Sequence, residues 1–406
     1  MNKLSLITKM LTGGGMKDAF SMLPMASVLP FKLMAGSDKD VTANPEKEAW
    51  NEERDDILER ANWLCEKIIK SPEELMQEAP AMIGREYQGE WAIYSCSMLT
   101  HALANISHIY PDKKEQCLEL IPKLIDIVNT PTIREYDTMQ WREDAMESLD
   151  GDKHHMTYLS ILAWMITNYQ MIGGDDRYND ILHKCCEALN RRMQKSKYDL
   201  NLLSFPGKPI WLPDMMVTIV ALRNYGRLFY GKYKDTVDAW LHNAKTKWIH
   251  KGTGLIAGQL PGQSRQVKGI VMRGSHVGLV TSYMTLVDEK FARDQHDKMK
   301  RSWLKEASLF GKTAIGLKEY VKKSPEFSMK AGDAGIVVKG ISAGGTAFAV
   351  GSATYLGDWE LRHAFLRTAE LAGGTKKERG KRHYTISEMF LVGEATALAM
   401  RTNVKR

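Results

Sequence analysis

From about residue 46 onward the chain alternates between two kinds of helix, and that alternation restricts what it can fold into. One kind is amphipathic: 46–70 (EKEAWNEERDDILERANWLCEKIIK) sets Trp50, Ile57, Ala61, Leu64 and Ile68 on one face at helical spacing. The other is apolar nearly all round, as in 89–106 (GEWAIYSCSMLTHALANI) and 154–171. Amphipathic patterns recur at 113–128, 178–196, 235–249, 289–310 and 358–372, with apolar or small-residue segments between them at 214–230, 274–288, 342–355 and 385–401. A helix that is apolar on every side has to be surrounded by protein, whereas an amphipathic one can form an outer wall. Six such pairs predict an all-α chain arranged as an (α/α)6 toroid, an inner ring within an outer ring. An irregular bundle or a solenoid of helix hairpins is the competing arrangement. Gly278, Gly344, Gly345, Gly351 and Gly393 are placed to let inner helices approach closely. Strand signals are few: Leu255-Ile256-Ala257 and 335–339 (GIVVK) read as short loop pairings.

The toroid accounts for residues 45–406 and leaves 1–44 as an N-terminal extension. Within it Ala19 to Gly36 (AFSMLPMASVLPFKLMAG) is apolar and Met-rich, but Pro24, Pro30 and Lys32 interrupt it too often for a bilayer span. Packing on the body or on another subunit, or contact with a membrane surface, are the readings for 19–36. The start MNKLSLITKMLTGGG makes a poor signal peptide, because Lys9 breaks its short apolar run; this favours a cytoplasmic or membrane-peripheral protein and leaves secretion open. A net charge of +7 spread over 406 residues, with acids and bases interleaved, argues against nucleic acid; the run 376–382 (KKERGKR) reads as a solvated loop. The five cysteines are irregularly spaced on helical patterns, which suits buried thiols rather than disulfides. There is no CxxC, no HExxH, no dinucleotide fingerprint and no P-loop, so neither a metal nor a cofactor is expected.

In such a ring the loops before the inner helices gather at one mouth, together with the helix N-termini and their positive dipole ends. The densest polar stretch, 136–155 (YDTMQWREDAMESLDGDKHH), reads as a loop leading into the second inner helix. His155 and Tyr158 are expected to share a face, with Asp144 or Asp214 as partner to the histidine, and Tyr384 as a further proton donor. Trp91, Trp141, Met156 and Trp211 are the expected cavity lining, with Arg273 and Asp333 as substrate-holding groups. Asp214, after Pro213, also suits a helix cap, as do Ser275 and Ser342. Glu394, within LVGEATALAM, is a carboxylate in an apolar helix and calls for a buried partner such as an arginine.

With these segments located, the chain resembles the linalool dehydratase/isomerase-like domain family. The resemblance rests on YQGEWAIYSCSM, WREDAMESLDGDKHHMTYLSILAW, IWLPDMMVTIVAL, RGSHVGLVTSYMTLVDEKFA, GISAGGTAFAVGSATY and LVGEATALAMRT, spread over about residues 50–402. It implies an (α/α)6 barrel, often oligomeric, with a pocket at the inner-helix mouths. It also implies cofactor-free interconversion of small terpene alcohols and alkenes. The family's pocket histidine corresponds to His155. Its pocket cysteines have no clear counterpart, since Cys185 and Cys186 fall on an outer helix and Cys96 well inside an inner one.

Three functions are therefore expected to compete. The first is a cofactor-independent lyase or isomerase acting by acid–base catalysis on a small apolar alcohol or alkene. A carbohydrate-active enzyme (polysaccharide lyase, epimerase or glycosidase) would use the same ring with tryptophans as stacking platforms and a carboxylate pair. The third is a non-catalytic scaffold or binding protein. A closed apolar cavity would favour the first, and an open mouth with aromatic platforms and acids the second.

Overall fold

The computed structural model describes residues 45–79, 85–265, 268–321, 327–328, 336–388 and 391–406. The extension 1–44, with its 19–36 segment, lies outside the described residues. Six helices form an inner ring: α3 (Arg85–Ile109), α6 (Met156–Met171), α8 (Leu212–Leu228), α10 (Gly274–Met284), α12 (Ala343–Leu356) and α14 (Leu391–Arg401). Each packs on the next, and α14 packs back on α3, so the ring is closed. Outside it stand α1 (Pro45–Ile68), α4 (Lys114–Val128), α7 (Asn179–Lys195), α9 (Lys234–Thr246), α11 (Glu289–Trp303) and α13 (Trp359–Gly373). The all-α toroid expected from the alternation is the fold.

The local chemistry explains the two rings. Every residue of α6 from Met156 to Tyr169 is buried, as an all-round apolar sequence requires, whereas α7 buries one face through Leu182, Cys185, Cys186, Leu189 and Met193. Two further helices lie at the mouth, α2 (Pro72–Glu78) and α5 (Pro131–Trp141). The second corrects the expected polar loop: Thr130 caps it through a hydrogen bond from the Ile133 amide, Pro131 opens its first turn, and Arg142 ends it in the left-handed region at φ 58°. The span expected at 289–310 also stops early, at Trp303. Its end belongs to a hairpin, β3 (Leu304–Leu309) against β4 (Lys312–Lys318), which the alternating sequence did not announce. This hairpin continues through β7 (Ile341–Ser342) and β6 (Val337–Val338) to β5 (Phe327–Ser328) in one antiparallel sheet. Separate two-stranded pairings join β1 (Ile210–Trp211) to β2 (Gln259–Leu260), and β8 (Thr375–Glu378) to β9 (Lys381–Tyr384). The last inner helix starts at Leu391 rather than 385, after a short 3-10 turn at Thr385–Glu388.

Small residues set the spacing of the ring where α10 meets α12. A Cβ on Gly278 would lie 2.4 Å from the Gly345 carbonyl oxygen, a backbone atom with no rotamer to yield. Gly278→Ala is therefore expected to destabilise by about 1–3 kcal/mol despite alanine's better helix propensity, read as a lower urea midpoint with an unchanged slope.

The seam where the ring closes is charged and mostly buried. Arg362 of α13, with a fully buried side chain, donates to both oxygens of Glu53 on α1 at 2.6 and 2.8 Å. Arg401 of α14 reaches the same Glu53 at 2.6 Å and also pairs with Asp56. Arg60 of α1 meets Glu394 at 2.6 Å, which supplies the partner that buried carboxylate requires. Burial acts to raise the Glu53 pKa, but Arg401 and Arg362 outweigh it and bring it from 4.5 down to about 2. A carboxyl depressed on folding contributes stability that is present above its unfolded pKa and is lost as the pH falls through the folded one. Thermal stability should accordingly decline between about pH 4.5 and 2. Arg362→Ala should cost roughly 3–5 kcal/mol at neutral pH and make that acid decline shallower, measured by denaturant titration across pH.

Candidate functional site

Each inner helix is preceded by an outer one running the other way, so all six inner helices begin at the same end of the ring. Most inner-ring residues are buried; Trp91 and Tyr94 on α3, Asp214 on α8, Leu279 on α10 and Phe348 on α12 are among those that keep partial solvent access. Trp211, in β1 just before α8, is likewise half-buried, and its ring meets that of His276 edge-on at 5.6 Å between centroids. Aromatic and charged side chains thus stand together at the starts of α3 and α8.

Its polar centre is Asp214. Tyr94 donates its hydroxyl to Oδ1 at 3.0 Å, and Ser204 donates to Oδ2 at 2.5 Å. Each carboxylate oxygen therefore has a donor, which favours the ionised form. Burial, then the charges of Asp214 and Glu90, push the Tyr94 hydroxyl well above the ordinary phenol range, so it remains a proton donor. Glu90 lies one helical turn before Tyr94 on α3 and bears also on Tyr136, whose buried hydroxyl has no hydrogen-bond partner among the described residues. Two carboxylates and two tyrosines from α3, α5 and α8 thus converge. Tyr94 and Tyr136 were not anticipated from the sequence as members of the site. A tyrosine four residues after a glutamate on an otherwise apolar helix was the available signal, since both then lie on one face.

His155 takes a different position. It caps α6 in the left-handed region at φ 44°, with its ring fully enclosed. Nδ1 lies 2.5 Å from Asp137 Oδ2, and Nε2 faces Glu143 Oε1 at 3.2 Å and Ser148 Oγ at 3.4 Å. The expected partner Asp144 is not the one it meets. Asp144 instead receives Arg134 Nε at 2.6 Å and the Met146 amide at 2.8 Å, because the helical α5 turns Asp137 toward the histidine and Arg134 toward the loop. Burial raises the Asp137 pKa against the opposing pull of His155. Tyr158 does not gather with the lumen groups either. Its buried hydroxyl donates to the Val128 carbonyl at 3.2 Å, at the end of the outer helix α4. Met156 is fully buried in the same turn. Trp141 is buried with its ring against His154 and His155, at 5.8 and 5.3 Å.

Arg273 caps α10 and donates through Nε to Glu319 at 2.7 Å, and Ser275 donates to the same fully buried carboxylate through its amide and hydroxyl at 3.2 Å. Tyr384 belongs to the seam rather than to the lumen: Arg60 lies 4.1 Å over its ring, and its amide donates to Glu394 at 2.9 Å. Asp333 lies outside the described residues. Among the described residues no group of three or more His, Cys, Asp or Glu side chains is placed to hold a metal ion, and no helix is long and apolar enough to cross a membrane.

No family model matches the chain, and no curated protein matches it. Among solved structures it is similar to a family 76 glycoside hydrolase from a bovine Bacteroides thetaiotaomicron strain. The identity is 10% over 76% of this chain and 68% of that one, with a TM-score of 0.43. It is also similar to a family 105 glycoside hydrolase of C. acetobutylicum ATCC 824, at 12% identity over 77% of this chain and 93% of that one, with a TM-score of 0.49. Neither likeness bears on function, and the toroid stands on the closed ring of helix contacts itself.

The enclosed His155 has a testable consequence. Its removal in His155→Ala leaves Asp137 buried without its partner, and should destabilise the fold by roughly 3–5 kcal/mol, read by urea titration.

Proposed function

We propose that the chain is a carbohydrate-active enzyme that cleaves a glycosidic bond at the open mouth of the ring. The observation that carries this reading is the Asp214 carboxylate, held by Tyr94 and Ser204 and left half-buried, with Trp91 and Trp211 half-buried at the starts of α3 and α8. Aromatic faces flanking an open site suit the apolar faces of sugar rings, while the carboxylates suit the bond between them. Asp214, with a donor on each oxygen, is the ionised member and acts as base or nucleophile. Glu90 carries the proton for the leaving oxygen, the two neighbouring carboxyls titrating apart. Tyr94 orients Asp214, and Arg273, fixed by Glu319, holds a substrate oxygen at the α10 N-terminus. His155, closed off by Asp137 and Glu143, positions the loop rather than moving a proton.

A second reading follows the resemblance to the linalool dehydratase/isomerase-like family. Leu279 and Phe348 give the lumen an apolar wall, and Tyr94 with Asp214 would there deliver and remove a proton on a small alcohol or alkene. The two readings separate in one experiment. Purified protein is incubated with a panel of neutral and acidic oligosaccharides, and separately with a terpene alcohol. New reducing ends are assayed in the first set and headspace alkene in the second. Reducing-end release that falls at least about 100-fold in Asp214→Asn and in Glu90→Gln, with unchanged melting, is the expected result. Alkene formation without sugar cleavage would replace the glycan reading with the second.

A further inference from the structure

Behind the lumen lies a second concavity that the proposed chemistry does not use, a cleft of about 550 Å³ between the end of α7 and the 152–154 turn. Its charge is one-sided. Lys153, Arg192, Lys195 and Lys197 line it, against Asp152 in the lining and Glu143 beside it, which meets Lys153 at 2.9 Å. Asp152 meets Lys195 at 3.0 Å with both side chains largely exposed, the kind of pair that contributes little and exchanges readily. Arg192 is buried, and its guanidinium donates only to backbone carbonyls: Ser148 at 2.8 Å, His154 at 3.1 Å, Gly151 and Leu149 at 3.2 Å. Among the described residues, neither Arg192 nor Lys197 has a carboxylate within ion-pair distance. The field is visible on a neighbour. Burial, then Arg192, His155 and Lys197, hold the His154 pKa down to about 4, so this imidazole is neutral and accepts the Leu203 amide at 2.7 Å. An apolar floor is supplied by Trp141 and Leu203.

The cleft also adjoins the lumen. Leu203 lines it, and the next residue, Ser204, is the donor to Asp214 at 2.5 Å. A ligand seated on Leu203 is one residue from the proposed reacting centre.

We propose that this cleft binds the anionic substituent of an acidic oligosaccharide, a carboxylate or sulfate set between Lys195, Lys197 and Lys153 with its ring against Trp141. The inference rests on the glycan reading and gives that reading a substrate class. Four cations against two carboxylates, beside an aromatic floor, favour an oxyanion on a ring over a neutral sugar, because charge-assisted hydrogen bonds are the stronger ones.

Isothermal titration with three tetrasaccharides tests it: cellotetraose (neutral), hyaluronan (carboxylates only) and chondroitin sulfate (carboxylates and sulfates). Each is titrated into the full chain, into Lys195→Ala/Lys197→Ala and into Asp214→Asn. At least one acidic tetrasaccharide should bind the unaltered chain more tightly than cellotetraose and weaken with added salt. The same ligand should bind about tenfold more weakly to the double lysine variant, whose exposed positions leave melting unchanged. Preference for hyaluronan or for chondroitin sulfate identifies carboxylate or sulfate as the group held. Equal binding of acidic and neutral ligands, no acidic binding at all, or an unaffected double variant would each overturn the proposal. Asp214→Asn keeps the two readings apart. Acidic binding retained there, with no cleavage by the unaltered chain, would defeat the glycosidase reading and leave the cleft standing. Cleavage of neutral glycans without acidic binding would do the reverse.

Discussion

Closing the ring makes neighbours of the two ends of the described fold, and a network of buried charges performs that closure. The outer helix α1 brings Glu53, Asp56 and Arg60, and the last elements bring Arg362, Arg382, Glu394 and Arg401. Apolar packing alone is indifferent to register, since one leucine-rich face slides over another at little cost. A two-pronged contact from Arg362 to Glu53 is not, because a shift of one helical turn would strand both charges away from water. Replacing such a network with apolar residues is often neutral for stability, so its contribution here is to fix which turn of α1 faces which turn of α13 and α14. The lumen inherits that precision. Glu90 and Tyr94 sit on α3, and α14 packs directly on α3 at the seam.

The 142–155 segment does for the mouth what the seam does for the ring. It is held from the inner side by Asp137 and Glu143 on His155, and from the outer side by Arg191 and Arg192, which donate to carbonyls between Ser148 and His154. Two arginines spent on backbone oxygens leave the segment rigid but leave their charge unneutralised. Rigidity of the wall and the basic character of the cleft behind it therefore have one origin. Holding His155 at a positive φ has a cost as well, which the carboxylates on its two ring nitrogens offset.

The architecture was legible in the sequence because all-round hydrophobicity is a local property. Met156 to Tyr169 needs enclosure whatever else the chain does, and six such segments needed a ring. Less was legible where the signal is relational. Leu304–Leu309 (LKEASL) continues a helical pattern plausibly, and becomes a strand because Lys312–Lys318 is there to pair with it. The stretch 136–155 read as a loop because it gathers Asp137, Glu143, Asp144, Glu147, Asp150 and Asp152, though Thr130-Pro131 ahead of it was a sound helix start. Site membership was harder still. His155 and Asp214 were picked out by residue type and position, but whether a side chain faces lumen, seam or cleft depends on the rotation of its helix about its axis. That rotation is set by packing across the ring, so Tyr94 entered the site and Tyr384 went to the seam without any change in their local sequence.

One ring therefore carries polar groups under two opposite requirements. At the seam, Glu394 has Arg60, Ser387 and the Tyr384 amide around it, so that little capacity is left for a ligand. In the lumen, Asp214 accepts from the neutral hydroxyls of Tyr94 and Ser204 and stays half-buried rather than enclosed. A neutral donor stabilises the carboxylate while leaving its charge available to a substrate; a buried arginine would consume that charge. This difference in setting, more than the presence of an acid, separates a carboxylate that a ligand could reach from one enclosed between helices.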